Sequence, residues 1–169
     1  METNKNIFLI GFMGCGKSTM ARFLSRDLDV ELVEMDETIE VEAGMTINEI
    51  FEKYGEKHFR DLESQLILRI AEKGGAVVSC GGGAILRQEN VENMKKNGQI
   101  IYLSATPETI YTRVRNSTNR PLLNGNMNVE YISSLMEKRL PLYENAADIT
   151  IYVDGKEKQE VVEEIKKIL

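Results

Sequence analysis

Ile7-Phe-Leu-Ile10 runs directly into Gly11-Phe-Met-Gly-Cys-Gly-Lys-Ser18, and a helical pattern follows from Lys17. A buried strand, a loop of the form G-x-x-x-x-G-K-[ST] and a helix start, in that order, make a phosphate cradle. Glycine lets successive backbone N–H groups turn toward one anion, and the helix adds the positive end of its dipole. In such a loop Lys17 reaches the β- and γ-phosphates of a nucleotide, and the Ser18 hydroxyl ligates Mg²⁺. Gly14, Cys15, Gly16 and Thr19 complete the nucleotide-binding set within the loop. A random chain of this length would match the pattern about one time in a hundred, and the flanking strand and helix lower that further. The loop fixes a nucleoside triphosphate site and leaves the phosphoryl acceptor open.

The rest of the chain alternates in the way such a loop requires. Met20, Phe23, Leu24 and Leu28 keep a helical period over 18–28. Strands are predicted at Val30–Val33, Ala76–Cys80, Gln99–Leu103 and Ile149–Val153. Residues 37–72 read as helical, broken at Gly44 and Gly55, with Thr46 and Glu49 in capping-box spacing before Ile50 and Phe51. A longer helix from about Glu56 carries Phe59, Leu62, Leu66, Ile67 and Ile70 on one face. Further helices are predicted over 88–96, from Pro107, over 129–139 and over 156–169; the polar, glycine-bearing stretch 116–128 is a mobile-loop candidate. With 169 residues and no repeat or linker, one domain is expected over 1–169. Five strands alternating with helices imply an α/β fold, a parallel sheet covered on both faces. Ligands on such sheets bind beyond the carboxyl ends of the strands, which places Gly11–Ser18, Glu34–Asp36 and Gly81–Gly83 on one rim.

A net charge of −6 argues against a nucleic-acid partner, because such proteins carry a basic footprint. The polar stretch 1–6 is not a secretory signal, and no apolar run is long enough for a membrane span, so a cytoplasmic protein is expected. Cys15 and Cys80 then read as buried thiols of a reducing compartment. Cys15 also stands beside Lys17 at a helix start, which predicts a thiol whose alkylation inactivates the protein; the alternative is a thiol turned into the core.

Several polar residues have both a chemical and a structural reading. Asp36 can accept hydrogen bonds from a substrate hydroxyl, or it can cap the helix after it. Gly81–Gly83 can bring backbone N–H groups close to a small polar ligand, or can be a flexible connector. Arg60 and Glu63 stand three apart, the spacing of an ordinary surface ion pair. Arg120 lies in the mobile stretch, where a closing loop delivers charge to a transferring phosphoryl group. Arg113 and Arg115 can stack on a base or pair with acidic neighbours. Arg139, just before Pro141, can bind an anion or meet a helix dipole. His58, the only histidine, has no nucleophile beside it and reads as a surface residue.

Together, G-F-M-G-C-G-K-S-T at 11–19, M-D at 35–36, I-F-E-K-Y-G-E-K-H-F-R-D-L-E at 50–63, S-C-G-G-G-A at 79–84, R-P-L-L at 120–123 and R-L-P-L-Y-E-N-A-A at 139–147 resemble shikimate kinase. Order and spacing hold from about residue 6 to 155. The resemblance implies a three-layer P-loop kinase fold of the nucleoside-monophosphate-kinase type, with strand order 2-3-1-4-5, a helical substrate-binding region near 36–63 and a mobile lid near 114–128. It implies MgATP as phosphoryl donor and the 3-hydroxyl of shikimate as acceptor, a step toward chorismate and the aromatic amino acids. Lys17, Asp36 and Arg120 then form the catalytic set, with Arg113 packing on adenine. Asp36, Arg60, Gly81, Gly82, Gly83 and Arg139 hold shikimate, the arginines on its carboxylate and Asp36 on its hydroxyls. Glu63 steadies the substrate arginine. The chain is expected to act as a monomer. Two positions depart from the family: Glu34 replaces the usual aspartate acting on the Mg²⁺ water shell, or it merely faces solvent, and Asp154-Gly155-Lys156 matches no adenine-side pattern. A related kinase for another hydroxy-acid such as gluconate is the alternative, although F-R-x-x-E with G-G-G argues against it. A nucleotide-dependent switch would not need a second pocket with Asp36, Arg60 and Arg139.

Overall fold

The computed structural model describes residues 4–116, 123 and 125–169. In chain order its elements are β1 (Asn6–Ile10), α1 (Lys17–Leu28), β2 (Glu31–Glu34), α2 (Met35–Ala43), α3 (Ile47–Tyr54), α4 (Glu56–Lys73) and β3 (Ala76–Ser79). A 3-10 turn over Ala84–Leu86 leads to α5 (Gln88–Lys96), β4 (Gly98–Ser104), α6 (Pro107–Val114), α7 (Val129–Ala146), β5 (Ile149–Tyr152) and α8 (Lys158–Ile168). The five strands are parallel in the order β2-β3-β1-β4-β5, as the family resemblance implied. β1 is central, and Phe8, Leu9 and Ile10 are at most 1% exposed, which is why its sequence is apolar without alternation. Helix α1 packs on β1 and β3 and against α8, whereas α5 packs on β4 and against α4.

Local chemistry sets several helix ends. Thr46 accepts the Glu49 N–H at 3.2 Å and Thr106 accepts the Thr109 N–H at 3.3 Å, with Pro107 at the first helical position. Asn128 caps α7 by accepting the Tyr131 N–H at 2.8 Å.

Two helices differ from expectation. Helix α7 does not stop at Arg139 but continues through Pro141 to Ala146. The proline forfeits a backbone bond, but the turn beyond it is anchored: Tyr143 and Ala146 are buried, and the Tyr143 ring stacks on Tyr102 at 5.0 Å. Arg139 is therefore an interior helix residue, and the helix-dipole reading of it does not hold. Helix α2 starts at Met35, with Glu34 at the cap position, so Asp36 lies inside the first turn and does not cap it. No helix of the described residues is long and apolar enough to cross a membrane.

Candidate active site

The loop after β1 has the curled form the sequence requires. Gly16 precedes α1 in a left-handed conformation at φ 102°, which a side chain would strain. At Gly11 space is limiting: a Cβ there would meet Cys15 Sγ and the Leu103 carbonyl oxygen at 2.6 Å. Lys17 folds back, its Nζ donating to the Gly11 carbonyl at 2.7 Å and the Phe12 carbonyl at 3.1 Å. The Cys15 N–H donates to the Phe12 carbonyl at 3.1 Å, and the Cys15 side chain is buried. The expected reactive thiol at Cys15 is thus corrected to one packed into the core, because the loop's curl points Sγ inward beside Gly11. Cys80 is likewise buried and free, and burial pushes its thiol well above the usual range.

The predicted rim forms at adjacent strand ends. β2, β3 and β1 are neighbours, so Glu34–Asp36, Gly81–Gly83 and the phosphate loop converge. A cavity of about 220 Å³ opens between them, with Lys17, Ser18 and Thr19 on one wall and Glu34, Asp36 and Gly82 on the other. Ser79 lines it too, its Oγ 3.4 Å from Ser18 Oγ. The sequence reading missed Ser79: only the register that pairs Leu9 with Ser79 brings it beside the loop. Glu34 takes an ion pair from Arg22 at 3.4 Å, and burial with the nearby Glu37 raises its carboxyl against the pull of Arg22.

Beyond this cavity the three glycines lie against four functional side chains. A Cβ on Gly81 would meet Glu63 Oε2 at 2.6 Å and Asp36 Oδ1 at 2.9 Å, one on Gly82 would meet Arg139 at 3.4 Å, and one on Gly83 would fall within the Arg60 guanidinium. The carbonyl of Gly82 accepts from the hydroxyl of Tyr143, which lies in the 139–147 block but was assigned no role from sequence. The stretch is a packed junction, not a flexible connector.

Arg60 and Glu63 are not the surface pair their spacing suggests. Arg60 Nη1 donates to Glu63 Oε1 at 2.7 Å, with Glu63 0% and the Arg60 side chain 10% exposed. Burial pushes the Glu63 carboxyl up to about 7 despite Arg60 and Arg139, with Asp36 adding to the rise. Burial also opposes the Arg60 charge, but Glu63 and Glu56 outweigh it and hold the guanidinium charged. For Glu63, whose ordinary value is 4.5, the folded state keeps a proton that the unfolded chain has lost between pH 4.5 and about 7. Its contribution therefore weakens folding as pH rises through that window. Relative to Glu63→Gln, the parent is expected to lose on the order of 2–3 kcal/mol of stability between pH 5 and 8. Denaturant unfolding of both proteins at the two pH values checks this; a pH-independent difference between them would contradict it.

A second hollow, about 290 Å³, lies behind the loop and is lined by Gly16, Thr19, Arg113, Val153, Lys156 and Lys158 among others. Arg113 donates to the Gly14 carbonyl at 3.2 Å. Asp154, unassigned from sequence, accepts from the Thr106 N–H at 3.0 Å and the Thr109 hydroxyl at 2.7 Å, tying the end of β5 to α6. His58 is exposed and rests on Tyr54, as expected of a surface residue. Arg120 lies outside the described residues, as does most of the 117–124 segment of the expected lid.

Comparison with known proteins agrees with this geometry. The family model described as shikimate kinase matches residues 13–169. A shikimate kinase from Thermodesulfovibrio yellowstonii is 45% identical over 163 residues, covering 96% of this chain and 94% of the relative. The solved structure of the Acinetobacter baumannii shikimate kinase in complex with shikimate superposes with a TM-score of 0.94 at 35% identity, covering 99% of this chain and 93% of that one. A gluconokinase from Sinorhizobium meliloti shares only the fold, with a TM-score of 0.57 at 17% identity over 97% of this chain and 90% of that one.

Proposed function

The chain belongs to the shikimate kinase family, and from that premise we propose how its own residues transfer the terminal phosphoryl group of ATP to the 3-hydroxyl of shikimate, giving shikimate 3-phosphate and ADP. One observation carries the reading: the phosphate loop and Asp36 face each other across one cavity, and Arg60 and Arg139 close on the adjoining glycines. Lys17 leaves the Gly11 and Phe12 carbonyls and binds phosphate oxygens, and the N–H groups of the loop hold the same anion. Asp36 accepts a hydrogen bond from the attacking hydroxyl and orients it. Arg60 and Arg139 grip the carboxylate, the group a guanidinium fork suits best. Glu63 holds Arg60 in place, and Arg120 brings further charge to the phosphates from the lid. Arg113 and the Val153–Lys158 segment flank the hollow suited to adenine. Positioning and charge neutralisation do most of the work, because phosphoryl transfer needs little covalent help.

The Ser18 and Ser79 hydroxyls, with the carboxylates of Glu34 and Asp36 lining the same cavity, form an all-oxygen donor set that suits Mg²⁺. Mg²⁺ bound at Ser18 would neutralise charge developing on the phosphates. Glu34, one methylene longer than aspartate, would act through a metal-bound water. Glu34→Gln is then expected to raise the Mg²⁺ concentration for half-maximal rate, while Glu34→Asp stays near the parent. Identical Mg²⁺ dependence in the parent and the Gln variant would leave this strand end without a part in metal binding.

The activity itself is tested by a coupled assay for ADP release with shikimate, with gluconate and with no acceptor. Turnover with shikimate alone is expected. Turnover with gluconate would move the acceptor, and equal ADP release without acceptor would reduce the protein to a nucleotide hydrolase.

A further inference from the structure

Glu56 opens α4 directly after Gly55, one helical turn before Arg60. Its Oε1 lies 3.1 Å from Arg60 Nη2, while Nη1 faces Glu63 at 2.7 Å. The two acceptors are unlike: the Glu63 side chain is 0% exposed and the Glu56 side chain 50%. A guanidinium offers a carboxylate two planar forks, one across Nη1 and Nη2 and one across Nε and Nη2. Both include Nη2, and Glu56 already draws on one of that nitrogen's two hydrogens. Arg60 Nε is buried and has no hydrogen-bond partner among the described residues. A third carboxylate arriving at Arg60 with Glu56 in place would meet the carboxyl groups of Glu56 and Glu63 around the guanidinium, with Asp36 close by and Arg139 as the second cation. Glu63 has nowhere to go. Glu56 has water beside it and keeps a favourable place at the helix N-terminus wherever its carboxylate swings.

We infer that Glu56 is an internal competitor for the acceptor site: its carboxylate draws on the same Arg60 nitrogen and charge that the substrate carboxylate uses, and substrate binds more tightly once it swings out. This rests on the reading of Arg60 as the substrate's carboxylate anchor. Glu56 thereby tunes acceptor affinity without touching the reacting atoms. An ordinary helix pair that merely steadies Arg60 would have the opposite effect, since removing it would loosen the anchor and weaken binding.

Calorimetric titration of parent, Glu56→Gln and Glu56→Ala with shikimate, and separately with ATP, distinguishes the two. Removing a half-exposed charge pair changes an equilibrium by roughly two- to fivefold. Shikimate is expected to bind both variants tighter by that factor, with ATP affinity unchanged. Asp61→Asn is the control: Asp61 is a neighbouring α4 carboxylate paired with Arg87 and Lys57 instead of Arg60. It should leave shikimate affinity at the parent value. Unchanged or weaker shikimate binding by Glu56→Gln, or equal tightening by Asp61→Asn, would overturn the inference. A parent that binds no shikimate would overturn the acceptor assignment and the inference with it.

Discussion

Lys17→Met is expected to lower turnover by a factor of about a hundred or more while the protein still folds. The side chain is not packing material. Its ammonium is buried against the loop, held by the carbonyls of Gly11 and Phe12, and under the proposed reading phosphate oxygens replace those carbonyls. Methionine keeps the length and apolar stem but has no donor. The two carbonyls lose their partner, a cost of about 1–2 kcal/mol in the empty protein, so unfolding should be measured beside turnover. A folded variant within about threefold of the parent rate would end the assignment of Lys17 to the transferring group.

Arg139→Ala is expected to weaken shikimate binding by roughly 2–5 kcal/mol, through a carboxylate left short of its partner in a desolvated pocket. ATP binding should barely change. Arg139 sits 7% exposed on the interior of α7, over the Phe12 ring and against Gly82. The matching Arg60→Ala variant is a poorer probe. It would strand Glu63, fully buried, without the guanidinium that donates to it at 2.7 Å, a loss that typically costs about 3–5 kcal/mol of stability by itself. Calorimetric titration of Arg139→Ala with each substrate checks the expectation; unchanged shikimate affinity would remove Arg139 from the acceptor pocket.

The phosphate loop was legible because all its parts are adjacent in sequence, and the caps at Thr46 and Thr106 were legible for the same reason. The strand order came with the family resemblance, since periodicity cannot order strands. The burial of Glu63 had a signal that spacing to Arg60 concealed: it stands four residues after Phe59 and three and four before Leu66 and Ile67, in the middle of the apolar stripe. Pro141 misled because its local cost is real, whereas the Tyr143 and Ala146 packing that offsets it comes from elsewhere in the fold. Ser79 and the inward turn of Cys15 depend on which strand neighbours β1 and which way a loop curls. Neither is written in residue type.

Gly81, Gly82 and Gly83 are needed for the hydrogen atom where other residues carry carbon. Each leaves room for a different group: Glu63 and Asp36 at the first, Arg139 at the second, Arg60 at the third. One added methyl at Gly81 or Gly83 would therefore evict a charged side chain, whereas at Gly82 it would only press on Arg139 and the Met13 backbone at 3.4 Å. Elsewhere in a protein, evolution can trade stability and recognition against each other with separate residues; across these three positions the same few ångströms of empty space serve both.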